Sequence, residues 1–587
     1  MNKNLKILSF VCFGVSQFAF GQIKDERLIL DRKREPEVKR NEKKKTSNPA
    51  EKKYPPKEKK IQDSLNLKYD ITDVPAVSEF KTSTIQGADI TPKFNSEYQD
   101  NYFQLGFGNY SKMLADANIS TVLENKMQLG ADVHYLSTSG LKKVYDWDSD
   151  QRTINVGAYL NNYGDLGKFN INVDYNRDDY NYYGIYMFKP TSDINIEQSV
   201  NQFHVNGYYD FYSNEILNDV RVKSTFLKDH YGAKENLADI TANLSKHGVD
   251  VNGDISLNAD LGLGIESQKT EFDLLNKNKS NFFNFGITPK ITLFKGNSYL
   301  MLGSNFSLAS GKNEGAQLAQ EEKLSKTYWF PKAELMLAAT DEFSFYAGVD
   351  GGLKFNSYAN SLQQNPYMLS DLYLKPTRSK YHVYFGMKGD IEEDFKYDIS
   401  AGFGKLEDIM FFRGNDYMIH PADGSYGYGL ANTFNTAYDN GTLSEVKASL
   451  QYFPLENLAL DGEIKFQKYK LDNFSDIYNV PLIRAEIGAK YTMLDKKLLL
   501  GFKGFFVSDR TTNSYEAVAG PASFNTQEST NTKVGGYADL NLSAEYKIHK
   551  NFSIFANGNN LLNAKYQTFN GYKVLGAQIL GGVKITF

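Results

Sequence analysis

Phe169-Asn170-Ile171-Asn172-Val173-Asp174-Tyr175-Asn176 alternates without a break. Every odd position is apolar or aromatic and every even one polar, so in an extended chain the two kinds fall on opposite faces. The same two-residue period returns in Ile255 to Leu261, Phe395 to Ala401 and Leu458 to Gln467. Late in the chain, Leu540, Leu542, Ala544, Tyr546 and Ile548 alternate with Asn541, Ser543, Glu545 and Lys547. From about residue 99 onward, one face of the chain is greasy and the other wet.

Composition narrows what such strands can build. The 587 residues include 40 Tyr and 40 Phe but only two Trp, and mean hydropathy is −0.48. The only long apolar run without a charge lies at the extreme N-terminus, which excludes a bundle of membrane-spanning helices. The aromatic surplus needs a place that a soluble domain of 41% hydrophobic residues does not provide. A membrane barrel supplies it in the interfacial girdles.

The N-terminal residues set the compartment. Lys3 and Lys6 precede an apolar stretch from Ile7 to Phe20, and Ala19-Phe20-Gly21 offers small residues for signal-peptidase cleavage, leaving Gln22 first. Cys12, the sole cysteine, sits inside that run after Phe10-Val11 and lacks the small residue that precedes a lipoprotein cysteine. The exported chain is thus expected to be cysteine-free, with nothing resting on disulfides. Residues 24–60 carry 15 Lys+Arg against 8 Asp+Glu with four prolines, the composition of a disordered basic tether. Such an arm is either a solvated spacer or a contact for an anionic partner, peptidoglycan included.

Beyond the tether, residues 61–98 form a linker or lumen-threading segment, and 99–587 are expected to form an all-β, closed antiparallel transmembrane barrel of about 22 strands, fewer being possible. Short polar turns (Glu392 to Asp394, Leu494 to Lys496, His549 to Asn551) alternate with long loops near 266–280, 312–326, 357–379, 405–441, 470–481 and 509–532. Closure is required because lipid cannot satisfy the open edge of a sheet. The chain ends on an alternating strand in which Ile579, Val583, Ile585 and Phe587 share a face, and a terminal aromatic there is the usual insertion signal of Gram-negative barrels. Girdle positions are expected at Tyr208, Tyr209, Phe211, Tyr212, Phe282, Phe283, Phe343 and Phe345.

The stretch Phe552 to Gln567, followed by Gly571-Tyr572 and Gly581 to Phe587, resembles the last two strands of TonB-dependent receptor barrels of the Bacteroidota type. Leu105 to Tyr110 and Tyr182-Tyr183-Gly184 are similar to the same superfamily. The resemblance implies an outer-membrane location and contact with lipid and lipopolysaccharide. It also implies a plug domain ahead of the barrel, yet the 38 residues from 61 to 98 are too few for one. A barrel of that size would otherwise enclose an aqueous channel. Its lumen is expected to be filled by inward loops, by 61–98 or another protein, or narrowed by a lower strand number. Its wall would carry Asp174, Asp254, Asp260, Lys396, Asp398, Asp461, Glu463, Lys465, Glu545 and Lys547, both signs together.

Catalytic and metal patterns are weak. The seven His are scattered, with no HExxH pair and no nucleophile motif beside them. His420, with Asp416, Asp423 and Ser425, is the one constellation an outer-membrane hydrolase could use. Asp146, Asp148 and Asp150 begin with calcium-loop spacing, but Gln151 replaces the glycine and Gly157 the bidentate glutamate. Gly262, Gly264, Gly351 and Gly352 read as strand bends rather than a phosphate cradle. No catalytic, cofactor or metal residue is assigned, and the compartment excludes nucleic acid. The leading expectation is a non-enzymatic accessory subunit of an outer-membrane complex for assembly or secretion, bound to other outer-membrane proteins or surface lipoproteins. The alternative is a receptor-derived transporter or passive pore plugged by a partner, and a hydrolase comes third.

Overall fold

The computed structural model describes residues 101–587 except 124–126, 142–143, 187–193, 213–215, 316–321, 341, 393, 419–425 and 519–524. The signal peptide, the tether and the segment 61–98 lie outside the described residues, as do His420, Asp423 and Ser425.

Twenty-two antiparallel strands form one sheet. They run from seven residues (Tyr102–Gly108) to twenty-two (Phe434–Leu455). The first strand pairs on one side with Met113–Leu123 and on the other with the last, Gln578–Thr586, which closes the cylinder. Leu105 lies opposite Val583 and Phe103 opposite Ile585 at this seam, and the Phe587 N–H donates to the Asn101 carbonyl at 2.9 Å. Pairing is therefore continuous, with no free edge in the barrel.

The dyad sets which way each residue points. Phe103, Ile171, Ile464, Leu542, Ile579, Val583, Ile585 and Phe587 are exposed on the outer wall, where lipid tails replace water. Inward positions pair their charges, as the mixed signs in the sequence anticipate: Lys465 lies 3.3 Å from Glu445, Lys447 3.3 Å from Glu463 and Lys584 3.6 Å from Glu545. Tyr346 donates to Asp398 at 2.5 Å. Asp254 does not belong to this wall, because it falls in the exposed turn between two strands. Two girdle assignments also change. Phe283 faces out, whereas its neighbour Phe282 faces in and packs on Phe355 with ring centroids 5.4 Å apart. Tyr208 likewise lies under the ammonium of inward-facing Lys168, 5.9 Å from its centroid, while Tyr209 and Phe211 pair outside it.

One rim carries connections of two to five residues and the other connections of four to twenty-nine. Short turns face the periplasm and long loops the exterior in barrels of this kind. Strands run further into the loops than hydropathy suggests. The span 266–280 contracts to a connection at 272–278, and 405–441 to 415–433, because both flanking strands continue past the membrane. Inside 508–536 the chain forms its own hairpin, Arg510–Val518 with Asn525–Val534. Long connections at 182–196 and 560–577 complete the outer rim.

Candidate functional site

The described parts of the long loops at 182–196, 355–376, 415–433 and 560–577, with the short connection 230–233, converge on one buried apolar cluster with Tyr182, Tyr358, Met368, Leu372, Leu374, Leu430, Phe569 and Tyr572 at its heart. These loops leave the wall at widely separated points of the ring, so a cluster that joins them spans the outer mouth.

The longest contribution is residues 355–376, which contain the one helix among the described residues, Tyr358–Gln364. Ser357 caps it, its side chain accepting the Asn360 N–H at 3.1 Å. The wall supplies a second acceptor. Glu235 receives the N–H groups of Tyr358 and Ala359 at 2.8 Å each and the Thr270 hydroxyl at 2.6 Å. All three donors are satisfied by a fully buried carboxylate, which is the condition for holding it there. Gln268 donates to the Asn356 carbonyl at 2.9 Å and Asn313 to the Leu374 carbonyl at 2.9 Å. Further along, Asp229 accepts from the Tyr358 hydroxyl at 2.8 Å and from Ser370, and Asp371 accepts the Leu275 N–H at 3.0 Å. The wall residues Asp229, Glu235, Gln268 and Asn313 thus anchor the loop.

The remaining loops lock onto this one. Leu369 donates its N–H to Phe434 at 2.8 Å, and Phe434 donates to Tyr367 at 3.0 Å. Tyr182 donates to the Met368 carbonyl at 2.9 Å, and Asn432 to the Tyr182 carbonyl at 2.6 Å. Tyr367 stacks on Tyr572 with centroids 3.4 Å apart, and Tyr183 meets Tyr572 edge-on at 4.9 Å. Gly571 has φ +86°, a conformation that favours glycine, and a side chain there would strike the Gly184 carbonyl. The two motifs Tyr182-Tyr183-Gly184 and Gly571-Tyr572, nearly 400 residues apart, therefore meet at the centre of the seal. Burial pushes the phenols of Tyr182, Tyr183, Tyr358 and Tyr572 well above their ordinary range, with neighbouring Tyr or Asp229 adding to the effect.

Beneath the seal lies a cavity of about 450 Å³. Its wall side presents Asn155, Asn176, Asp178, Gln202 and His204, and its roof Leu362, Tyr183 and Tyr367. Asp178 accepts the Thr153 hydroxyl at 2.7 Å, and His204 shares a hydrogen bond of 2.9 Å with Thr225. Polar side chains over an aromatic roof suit a small polar solute.

The sequence constellations go elsewhere. Asp416 accepts the Thr526 hydroxyl at 2.8 Å and so ties its loop to the outer hairpin. Asp150 accepts from Asn181 at 2.8 Å as part of the seal's rim. Among the described residues no group of three or more His, Cys, Asp or Glu could hold a metal ion. Gly262 and Gly264 lie mid-strand on the inner wall, and Gly351 sits in a bulge between Asp350 and Gly352.

A closed barrel of 22 strands with an apolar outer wall and a loop-filled mouth defines a large transmembrane β-barrel protein. No family model and no curated protein matches the chain. Solved structures do. The ferric-catecholate import receptor Fiu from E. coli K12 is 12% identical over 83% of this chain and 82% of its own, with TM-score 0.60. The siderophore receptor PiuA from Acinetobacter baumannii is 10% identical over 84% and 82%, with TM-score 0.59. The copper transporter OprC is 12% identical over 83% and 81%, with TM-score 0.54. Identities this low establish a shared fold, and the likeness to TonB-dependent receptor barrels expected from the sequence holds at that level.

Proposed function

We propose that this protein is a gated outer-membrane transporter of receptor type, in which the chain's own loops shut the outer mouth. One observation carries the reading: loops from separated points of a 22-stranded ring share a single dry core above a polar cavity. The solved barrels of similar fold are import receptors and a transporter, which supports a solute over a protein partner as the cargo. A passive pore fits poorly, because opening the mouth would expose many fully buried side chains, each worth about 1.5–3 kcal/mol.

A second reading, a non-transporting subunit that holds partners at the cell surface, draws on one feature. Asp229, Glu235 and Asp371 fix the loops through satisfied hydrogen bonds, as a permanent core would. Cross-linking distinguishes the two. With Met368→Cys and Phe434→Cys, directly opposite each other in a β-bridge, a disulfide locks the 355–376 loop of the seal to the wall. In a strain dependent on this protein, loss of solute uptake that a reductant restores supports gating. Full function in the locked state defeats it and leaves the surface subunit.

A further inference from the structure

The short-turn rim carries an apolar strip on its inner side, where alternation along each strand fixes which side chains face the lumen. On Met113–Leu123 the even positions face inward and end with Val122, which lies opposite Gln128 of the next strand. Tyr163 lies opposite inward-facing Lys168. Leu166 meets Tyr212, whose N–H donates to the Leu166 carbonyl at 3.0 Å, while Gly167 and Phe211 beside them face out. The Ile216 carbonyl accepts the N–H of buried Ser245 at 2.7 Å. Val122, Tyr163, Leu166, Tyr212 and Ile216 are all exposed, Leu166 by 71%. The strip crosses the ends of six neighbouring strands, about 24 Å at the usual spacing. The next inward rim residues are Ser245 and Asn258 on one side and Lys584 and Thr586 on the other, so the strip is bounded. A contiguous apolar patch facing the water-filled mouth rather than lipid marks a docking surface.

The chain enters the barrel beside this strip. Asn101 accepts the Ser120 N–H through its side chain at 2.6 Å, two positions from Val122. The ladder between the first two strands stops with Tyr102 opposite Asn118, yet the second strand continues to Leu123. Among the described residues no strand pairs with Thr121 to Leu123 on that side. Such an edge accepts a further extended segment. Carried on in the same register, position 98 falls opposite 122, which sets Tyr98 against Val122 on the inner face. Upstream, Ile85, Ile90 and Phe94 recur every four or five residues among polar neighbours. The far end of the strip, at Ile216, is six strand spacings from the first strand, about 29 Å, which about nine extended residues cover. At the centre of the strip the Lys168 ammonium stands 5.0 Å from the ring of Tyr163 and 5.9 Å from that of Tyr208. Residues 85–98 bring the complementary sign, Asp89 and Glu97 against Lys93.

We infer that residues 85–98 of this chain dock on the apolar strip inside the short-turn rim, first extending the ladder along Thr121 to Leu123 and then crossing the strand ends as far as Ile216. Tyr98, Phe94, Ile90 and Ile85 supply the apolar side chains. Packing them against Leu166, Tyr212 and Ile216 removes apolar surface of both partners from water. The contact needs an extended segment and no globular domain. It lies at the end of the barrel opposite the seal and is independent of what the protein transports.

The test uses the full chain, folded in detergent, under limited trypsin digestion read by mass spectrometry of the new N-termini. Lys81 lies outside the docking residues and Lys93 within them. In the wild type Lys81 is cut quickly and Lys93 at least about tenfold more slowly, because cleavage follows the population of the open form. Leu166→Ser with Tyr212→Ser and Ile216→Ser brings Lys93 to the rate of Lys81 without changing heat-modifiable migration. Should that variant fail to fold, Tyr212→Ser alone gives a smaller rise at Lys93. Photoreactive benzoylphenylalanine placed at Tyr212 cross-links, in intact outer membranes, to residues 85–98 of the same chain. Equal cutting at Lys81 and Lys93 in the wild type, equal protection of Lys93 in the wild type and a folded variant, or a cross-link from position 212 to another protein in place of 85–98 overturns the inference.

Discussion

The carboxylate of Glu235, on the barrel wall, accepts the backbone N–H of Tyr358 at 2.8 Å, bolting the wall to the first turn of the seal's helix. The bond joins residues 123 positions apart, both of them fully buried. Replacing Glu235 by Ala leaves the Tyr358 and Ala359 N–H groups and the Thr270 hydroxyl buried without their acceptor. Each such orphan costs about 1–3 kcal/mol. The loop is expected to open locally by about 3 kcal/mol or more while the barrel stays folded. Hydrogen exchange of residues 356–374 will rise by two orders of magnitude or more, and heat-modifiable gel migration will not change. Glu235→Gln keeps one acceptor and gives a smaller rise.

The seal is a core, so it responds to truncation as a core does. Leu372 and Leu374 are fully buried among Tyr and Phe rings of other loops. Cutting either to Ala is expected to cost about 2–5 kcal/mol, set by how far the loops can collapse into the gap. Wild-type protein in planar bilayers should be silent. The double variant should show stepwise conductance, and a double variant as silent as wild type would mean that the loops are not what closes the lumen.

Much of the architecture was open to reading from the sequence because lipid enforces it. Phe169 to Asn176 alternates since one face meets tails and the other the lumen, and nothing irregular is tolerated between. The expectation of about 22 strands followed from repetition, and closure from the need to pair every strand edge in lipid. The seal was hidden for the opposite reason. Leu372 and Leu374 lie in a segment without period, where burial is decided by distant partners and not by neighbours in the chain. Glu235 alternates like any lumen residue, and no local signal marks its role. Tyr182-Tyr183-Gly184 and Gly571-Tyr572 stood out as motifs, but only the closed ring shows that they touch. The filling of the lumen by loops was one of three possibilities on sequence grounds, and the described residues show loops closing its outer mouth.

That contact between motifs gives a sharp backbone test. Gly571 holds φ +86° against the Gly184 carbonyl, which leaves no room for a methyl group. Gly571→Ala adds a left-handed penalty of about 1–2 kcal/mol to a steric clash. The stacking of Tyr367 on Tyr572 should be lost with it, since residue 572 must move. Hydrogen exchange at 566–574 is expected to rise together with that at 367–369. A rise confined to 566–574 would show that the two loops are not coupled.

Alkaline pH offers a reversible way to open the same core. Tyr182, Tyr183, Tyr358 and Tyr572 have phenols raised by burial first and by neighbouring Tyr or Asp229 next. Once the loops open, these phenols ionise near the ordinary value of about 10, whereas in the closed seal they stay protonated. The closed state therefore holds more protons above pH 10. Its stability is complete below that value and falls as pH rises further, about 1.4 kcal/mol per unit for each phenol until its raised value is reached. Absorbance at 295 nm should show exposed tyrosines titrating near pH 10 and a delayed, cooperative remainder. Conductance should appear with that second step and vanish on return to pH 8, and Tyr358→Phe, which removes one such phenol, should move the step upward.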